Sequence, residues 1–165
     1  MQIQSSRLNA LGGYSFELLG RRDPTELKTF FLSLSFDQRR SYFGGSLSDV
    51  AIAEFCETID WTHTRVIAGH THDRLNGLAV LAYTPPNFDW AELSMVYSGD
   101  CNRQRVVSDL FDLAMALAPP RCLVSILREF AMPELIQLIR ERGIGTFLAD
   151  EIRIPVHLMK ELSAI

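Results

Sequence analysis

The stretch Ala91–Ala118 reads AELSMVYSGDCNRQRVVSDLFDLAMALA. Its first part is a strand, with Trp90 to Tyr97 β-branched, aromatic and apolar in character. Its second part is a helix whose inner face is Val106, Val107, Leu110, Phe111, Leu113, Ala114 and Leu117, stopped by Pro119 and Pro120. A turn from strand into helix leaves N–H groups unpaired at the positive end of the helix dipole, which suits an anion. Close approach to such a turn needs little side-chain bulk and unusual backbone angles. Arg103, Arg105 and Val107 stand where small residues would serve, and a β-branched valine both resists positive φ and shields the amides.

Working outward, the hydrophobic period switches between two and about three and a half. Tyr14, Phe16 and Leu18 alternate as a strand, and Asp23 with Pro24 caps a helix carrying Leu27, Phe30, Phe31 and Leu34. Gly44 and Gly45 break the next segment, and Ser48 caps a helix with Val50, Ile52, Phe55, Cys56 and Ile59 on one side. Thr64–Gly69 and Leu75–Thr84 read as strands joined by a turn at His72, Asp73 and Arg74, and Trp90–Tyr97 completes an antiparallel meander. After the quoted stretch come a buried strand Cys122–Leu127, a helix from Pro133 with Gly143 at its C-terminal cap, and one or two strands in Thr146–Leu158. Residues 1–13 are expected to be a flexible segment ahead of one domain spanning 14–165.

Composition narrows the classes. The chain has 165 residues, 47% of them hydrophobic and ten of them Phe, enough for one domain with a real core and too few for two. Sixteen basic and 20 acidic residues give a net charge of -4, so no broad field attracts nucleic acid or anionic lipid. No apolar run reaches the roughly eighteen residues of a membrane span, and MQIQSSRLNA lacks a secretory core, so a cytoplasmic location is expected. Cys56, Cys101 and Cys122 are odd in number and widely spaced, which fits reduced thiols.

The order strand, two helices, meander, helix, strand, helix and closing strands resembles the GNAT family, the GCN5-related N-acetyltransferases, over about Tyr14 to His157. Local marks are Leu34-Ser35-Phe36-Asp37-Gln38-Arg39-Arg40 running into Tyr42, Phe43 and Gly44, the glycine of Leu75-Asn76-Gly77-Leu78, and Ala91-Glu92-Leu93 at the start of the fourth strand. The resemblance implies an α/β (α+β) fold, a mostly antiparallel central sheet with helices on both faces. It also implies transfer of an acetyl or acyl group from acetyl-CoA or another acyl-CoA to a small-molecule or peptide amine. Such transfer needs a neutral amine, although a lysine-like amine has a pKa near about 10.4, and donors for a developing oxyanion.

Under the same resemblance Glu92 is the candidate catalytic base, with a solvent-facing glutamate as the plainer alternative. The backbone of Met95 and Val96 inherits contacts to the pantetheine arm. The family's pyrophosphate motif, Gln/Arg-x-x-Gly-x-Gly/Ala, falls on Asn102, Arg103, Gln104, Arg105, Val106, Val107 and Ser108, with Arg105 and Val107 at the two glycine positions. Either Arg103 and Arg105 replace amide contacts by charge, since guanidinium forks suit phosphate oxygens, or the loop has lost CoA and the fold binds a metabolite or protein partner instead. A homodimer is compatible with both. The frequent asparagine and tyrosine of the last helix fall on Met132 and Ile139. His70, His72 and Asp73 are turn residues rather than a metal site, no metal is expected, and Cys101 beside the arginines is a loop thiol whose pKa their charge could lower.

Overall fold

Alternating apolar and polar side chains build the sheet, and two sets of helices cover its faces. The computed structural model describes residues 14–20, 24–45, 47–72, 74–99, 103–157 and 159, with 8–10 as backbone alone. In chain order the elements are β1 (Leu8–Ala10), β2 (Tyr14–Leu19), α1 (Pro24–Ser33), α2 (Phe36–Phe43), α3 (Asp49–Glu57), β3 (Thr64–Thr71), β4 (Arg74–Tyr83) and β5 (Trp90–Tyr97). They continue with α4 (Arg103–Leu117), β6 (Leu123–Leu127), α5 (Pro133–Arg142), β7 (Thr146–Phe147) and β8 (Glu151–Pro155). Among the described residues the sheet has eight strands in the order β1-β2-β3-β4-β5-β6-β8-β7. Every neighbouring pair is antiparallel except β5–β6. This is the mostly antiparallel α/β architecture expected from the sequence.

One face packs Phe16, Ile67, Leu81 and Leu93 against Leu110 and Phe111 of α4 and Leu135 and Ile139 of α5. The other packs Val66, Ala68, Leu78 and Val96 against Leu27, Phe30 and Phe31 of α1 and Ile52 and Cys56 of α3. Gly77 is what lets α4 settle on the sheet: a Cβ there would come within 3.0 Å of Leu110 and 3.3 Å of Val106. The segment carrying the family marks becomes α2. Ser35 is its N-cap in a reciprocal capping box with Gln38, the Gln38 N–H donating to Ser35 Oγ at 3.2 Å and the Ser35 N–H to Gln38 Oε1 at 2.9 Å. Ser48 caps α3 in the same manner, accepting from the Ala51 N–H.

The strand Leu8–Ala10 lies inside the stretch read from sequence as a flexible lead-in, and it pairs antiparallel with β2, Asn9 opposite Ser15. Three residues are too few for an alternation pattern to register. Asp23, the expected cap of α1, falls outside the described residues. No described helix is long and apolar enough to cross a membrane.

Candidate functional site

The parallel pair is where the sheet opens. Its register consists of Trp90↔Leu123, Ala91↔Val124 and Glu92↔Ser125, while β5 runs on to Tyr97 and β6 to Leu127. Beyond Glu92 the two strands diverge into a fork, leaving β5 main chain on that side without a ladder partner. The Glu92 side chain is exposed at the base of this fork and lines a cleft of about 340 Å³ together with Ser94, Met95, Tyr42 and Phe55. Ser94 Oγ lies 3.2 Å from the Tyr42 hydroxyl. Burial pushes the Tyr42 phenol up to about 12, its bond to Ser94 works the other way, and the charge of nearby Glu92 adds to the rise. Tyr42 therefore keeps its proton and remains a donor.

The base of the fork is braced from behind. Ser125, buried opposite Glu92, donates to the Glu151 carboxylate, and Arg153 pairs with the same carboxylate. The Ser125 bond first and Arg153 second hold Glu151 below the usual carboxylate range. The Arg153 guanidinium lies 5.2 Å from the centre of the Trp90 ring, which fixes the first residue of β5.

After β5 comes Gly99 at φ +81°, a left-handed angle that only glycine adopts without strain. Asn102 and Cys101 lie outside the described residues. Arg103 opens α4, with its guanidinium 5.5 Å from the centre of the Tyr97 ring. Gln104 is exposed, and Arg105 pairs with Asp109 one turn on at 3.7 Å. Val106 and Val107 point into the core at 2% and 1% exposure, so only their main chain faces the turn. Ser108 Oγ accepts from Arg142 Nη2 at 2.8 Å, tying α4 to α5.

The cleft's far edge is closed by the chain itself. The Tyr97 hydroxyl donates to Glu134 in the first turn of α5 at 3.2 Å, and Gln38 Nε2 donates to the Tyr97 carbonyl at 2.9 Å. Met95 is buried on the α4 side of β5 and Val96 on the α1–α3 side. Met132 is the N-cap of α5 without a side-chain cap bond, and Ile139 is fully buried beneath that helix. Neither offers a polar group where a catalytic asparagine or tyrosine would be expected. Of the β5 main chain beyond Glu92, Leu93 and Met95 face the open side, the Tyr97 carbonyl there accepts from Gln38, and Val96 pairs with Leu78 of β4. Gly99 and the first turn of α4, with Arg103, follow at the fork's mouth, against the negative charge of Glu134.

The histidines lie elsewhere and apart from one another. His70 is buried, with Nε2 2.9 Å from Glu26 and 3.4 Å from Glu17, and its Nδ1 has no partner among the described residues. These three offer donor atoms within 4.8 Å of one another, on β3, α1 and β2. His72 is exposed in the turn at φ +50°, and Asp73 lies outside the described residues, so the structure does not join His72 to His70. Cys56 and Cys122 are buried and burial pushes each thiol up to about 11, away from reactivity.

Sequence reasoning reached Glu92 and missed its company. Tyr42 sits 52 residues from Ser94, and Tyr97 is 37 residues from Glu134. Tyr42 was visible as part of the Leu34–Gly44 mark, and Ser94 as a polar residue in an apolar strand. No sequence pattern joins them.

A helix-covered, mostly antiparallel sheet forked at its one parallel pair, with a strand–turn–helix at the fork's mouth, is the fold of the GNAT acetyltransferases. Known structures share it over almost the whole chain. The GNAT domain of S. lividans PAT is 16% identical with a TM-score of 0.67, covering 90% of this chain and 94% of that one. Aminoglycoside 6'-acetyltransferase type Ii is 14% identical with a TM-score of 0.62, covering 86% and 96%. Spermidine N-acetyltransferase from Vibrio cholerae, in complex with CoA and spermine, is 15% identical with a TM-score of 0.57, covering 86% and 94%. No family model and no curated protein matches the sequence.

Proposed function

We propose that the protein transfers an acyl group from an acyl-CoA thioester to a primary amine, with the β5–β6 fork as the reaction site and Glu92 as the base. The observation that carries this reading is the exposed carboxylate at the point where β5 loses its ladder partner, facing a cleft. Beyond that point the main chain of Met95 faces the open side and can hydrogen-bond an amide-bearing arm, whereas that of Val96 pairs with Leu78 of β4. Asn102, Arg103, Gln104, Arg105 and the first-turn amides of α4 then surround the pyrophosphate, and Val106, Val107 and Ser108 support them. The acyl-CoA supplies an activated carbonyl and a thiolate leaving group.

Glu92 accepts a proton from the ammonium, directly or through a water, so that nitrogen can attack the carbonyl. The C–N bond forms, the C–S bond breaks, and the second amine proton offsets the departing thiolate. Tyr42, held neutral by burial and accepting the Ser94 hydroxyl proton, keeps its own hydroxyl as a donor beside Glu92.

A second reading has its own support. The Tyr97–Glu134 and Gln38–Tyr97 bonds engage groups that an arm in the fork would meet, which suits a non-catalytic module holding another metabolite or a protein partner. Calorimetric titration with acetyl-CoA and a thiol-release assay separate the two. Saturable heat, with amine-dependent thiol release that Glu92→Gln abolishes, supports acyl transfer. Absence of heat at millimolar acetyl-CoA leaves the module reading.

A further inference from the structure

The fork does not end at Phe55. On the other side of that ring a second cavity of about 240 Å³ opens between α1, α3 and the sheet, walled by Leu27, Phe31, Ile59 and Val66. The two cavities share Phe55, Val80 and Ala82 as walls. The β4–β5 register explains the continuity, because Ala82 lies opposite Glu92 and Val80 opposite Ser94. An exposed Ala82 leaves open space beside the proposed base, and Phe55 is itself 36% exposed although it packs edge-on against Phe31 and Phe43. Joined past Ala82 and Phe55, the two adjacent cavities would form one apolar trough running from Glu92 behind α3.

Charge decides what such a trough can take. Of the described residues lining the two cavities only Glu92 and Asp60 are charged. Asp60 is already engaged by the His63 ring at 2.7 Å and the Thr62 N–H at 3.0 Å. With Asp60 so engaged and its side chain 61% exposed, Glu92 is the carboxylate left to meet an ammonium within the fork. A polyamine or aminoglycoside would leave further ammonium groups against Leu, Ile, Val and Phe, where an unpaired charge is costly. An aryl or alkyl body would instead gain from leaving water, at about 25 cal/mol per Å².

Resting on the acyl-transfer reading, we propose that the acceptor is a primary amine carried on a single apolar body, an arylalkyl or alkyl amine. Its nitrogen lies at Glu92 and its body in the trough past Ala82 and Phe55.

The test is amine binding to the full chain by calorimetry without CoA, using phenethylamine and spermidine as probes, with acetyl-CoA titrated separately. Phenethylamine should bind at least about tenfold more tightly than spermidine, the scale of discrimination an apolar pocket supplies. Ala82→Phe, at an exposed position, should fill the trough and weaken phenethylamine about tenfold while acetyl-CoA binding is unchanged. Phe55→Ala should give a loss in the same direction by removing contact. Equal or tighter binding of spermidine overturns the proposal, as does phenethylamine binding that ignores Ala82→Phe, or no phenethylamine binding at millimolar concentration. Phenethylamine binding without acetyl-CoA binding would sink acyl transfer and leave the apolar amine site standing.

Discussion

The two sides of the fork are built from different material. Under α2 and α3 the cleft is open, lined by aromatic rings and three polar side chains, Glu92, Ser94 and Tyr42, with Ala82 leaving space beside them. Toward α4 and α5 the corresponding groups are bonded within the chain: Arg103 over Tyr97, Tyr97 to Glu134, Arg105 to Asp109, and Ser108 to Arg142. A fold that keeps its sheet, fork and turn can thus change each half of its site separately. On the proposed function the α2–α3 side is the acceptor half, shaped by apolar packing and one carboxylate, and the α4–α5 side the cofactor half, shaped by charge and by what must move aside.

The sharpest way to break this contrast is Glu92→Gln. Loss of a positioned general base should lower the rate of acyl transfer by about 10²- to 10⁴-fold, with acetyl-CoA affinity unchanged because the carboxylate belongs to the acceptor half. Initial rates of thiol release alongside calorimetry read both quantities. An unchanged rate would remove Glu92 from the chemistry and with it the functional meaning of the open side.

Next in size is Ile139→Ala. A family tyrosine would stand here, but the side chain is fully buried beneath α5. Truncation should cost about 2–5 kcal/mol of stability by chemical denaturation, the range for a core cavity. A loss of activity without loss of stability would place Ile139 in the site and contradict the division between the halves.

How much of this was legible in the sequence follows from distance along the chain. The strand and helix of Ala91–Ala118 and the cap at Ser48 rest on local pattern, and each is found where the pattern puts it, whereas the capping box at Ser35 and the close packing over Gly77 emerge only in the structure. Glu92 is singled out through the resemblance to the family, at the start of the fourth strand. Tyr42 beside Ser94, Gln38 on the Tyr97 carbonyl, and Ser125 on Glu151 join elements that only the finished sheet brings together. Arg105 and Val107 do stand at the motif's glycine positions, and Gly99, just ahead of them, takes a left-handed angle that the sequence alone does not single out. The trough past Ala82 is invisible in sequence because an alanine opposite a glutamate signifies nothing until register is known.

A smaller effect tests whether the cofactor half is closed or merely charged. Glu134→Gln removes a negative charge from the first turn of α5 and weakens the Tyr97 bond, worth about 0.5–1.5 kcal/mol for a typical hydrogen bond. Acetyl-CoA affinity should rise by roughly twofold to tenfold. Tyr97→Phe, which breaks the bond and keeps the charge, separates the two causes. If Tyr97→Phe gives the whole gain, the bond itself is the obstacle; if it gives none, repulsion of phosphate is. No change in either variant would show that the cofactor half does not meet CoA.

The smallest expected difference lies between neighbours on α4. Arg103 stacks on Tyr97 at the mouth of the fork, while Arg105 is committed to Asp109 one helical turn away. An exposed pair of that spacing is worth about 0.3–0.5 kcal/mol, so Arg105→Ala should barely alter stability. If charge substitutes for the missing glycines, Arg103→Ala should weaken CoA several-fold and Arg105→Ala less, with neither affecting a pantetheine fragment that lacks the pyrophosphate. Equal losses for CoA and for the fragment would mean that the arginines shape the fork rather than hold phosphate. The cofactor half would then differ from the acceptor half only in being filled, since its charge would have no ligand to answer.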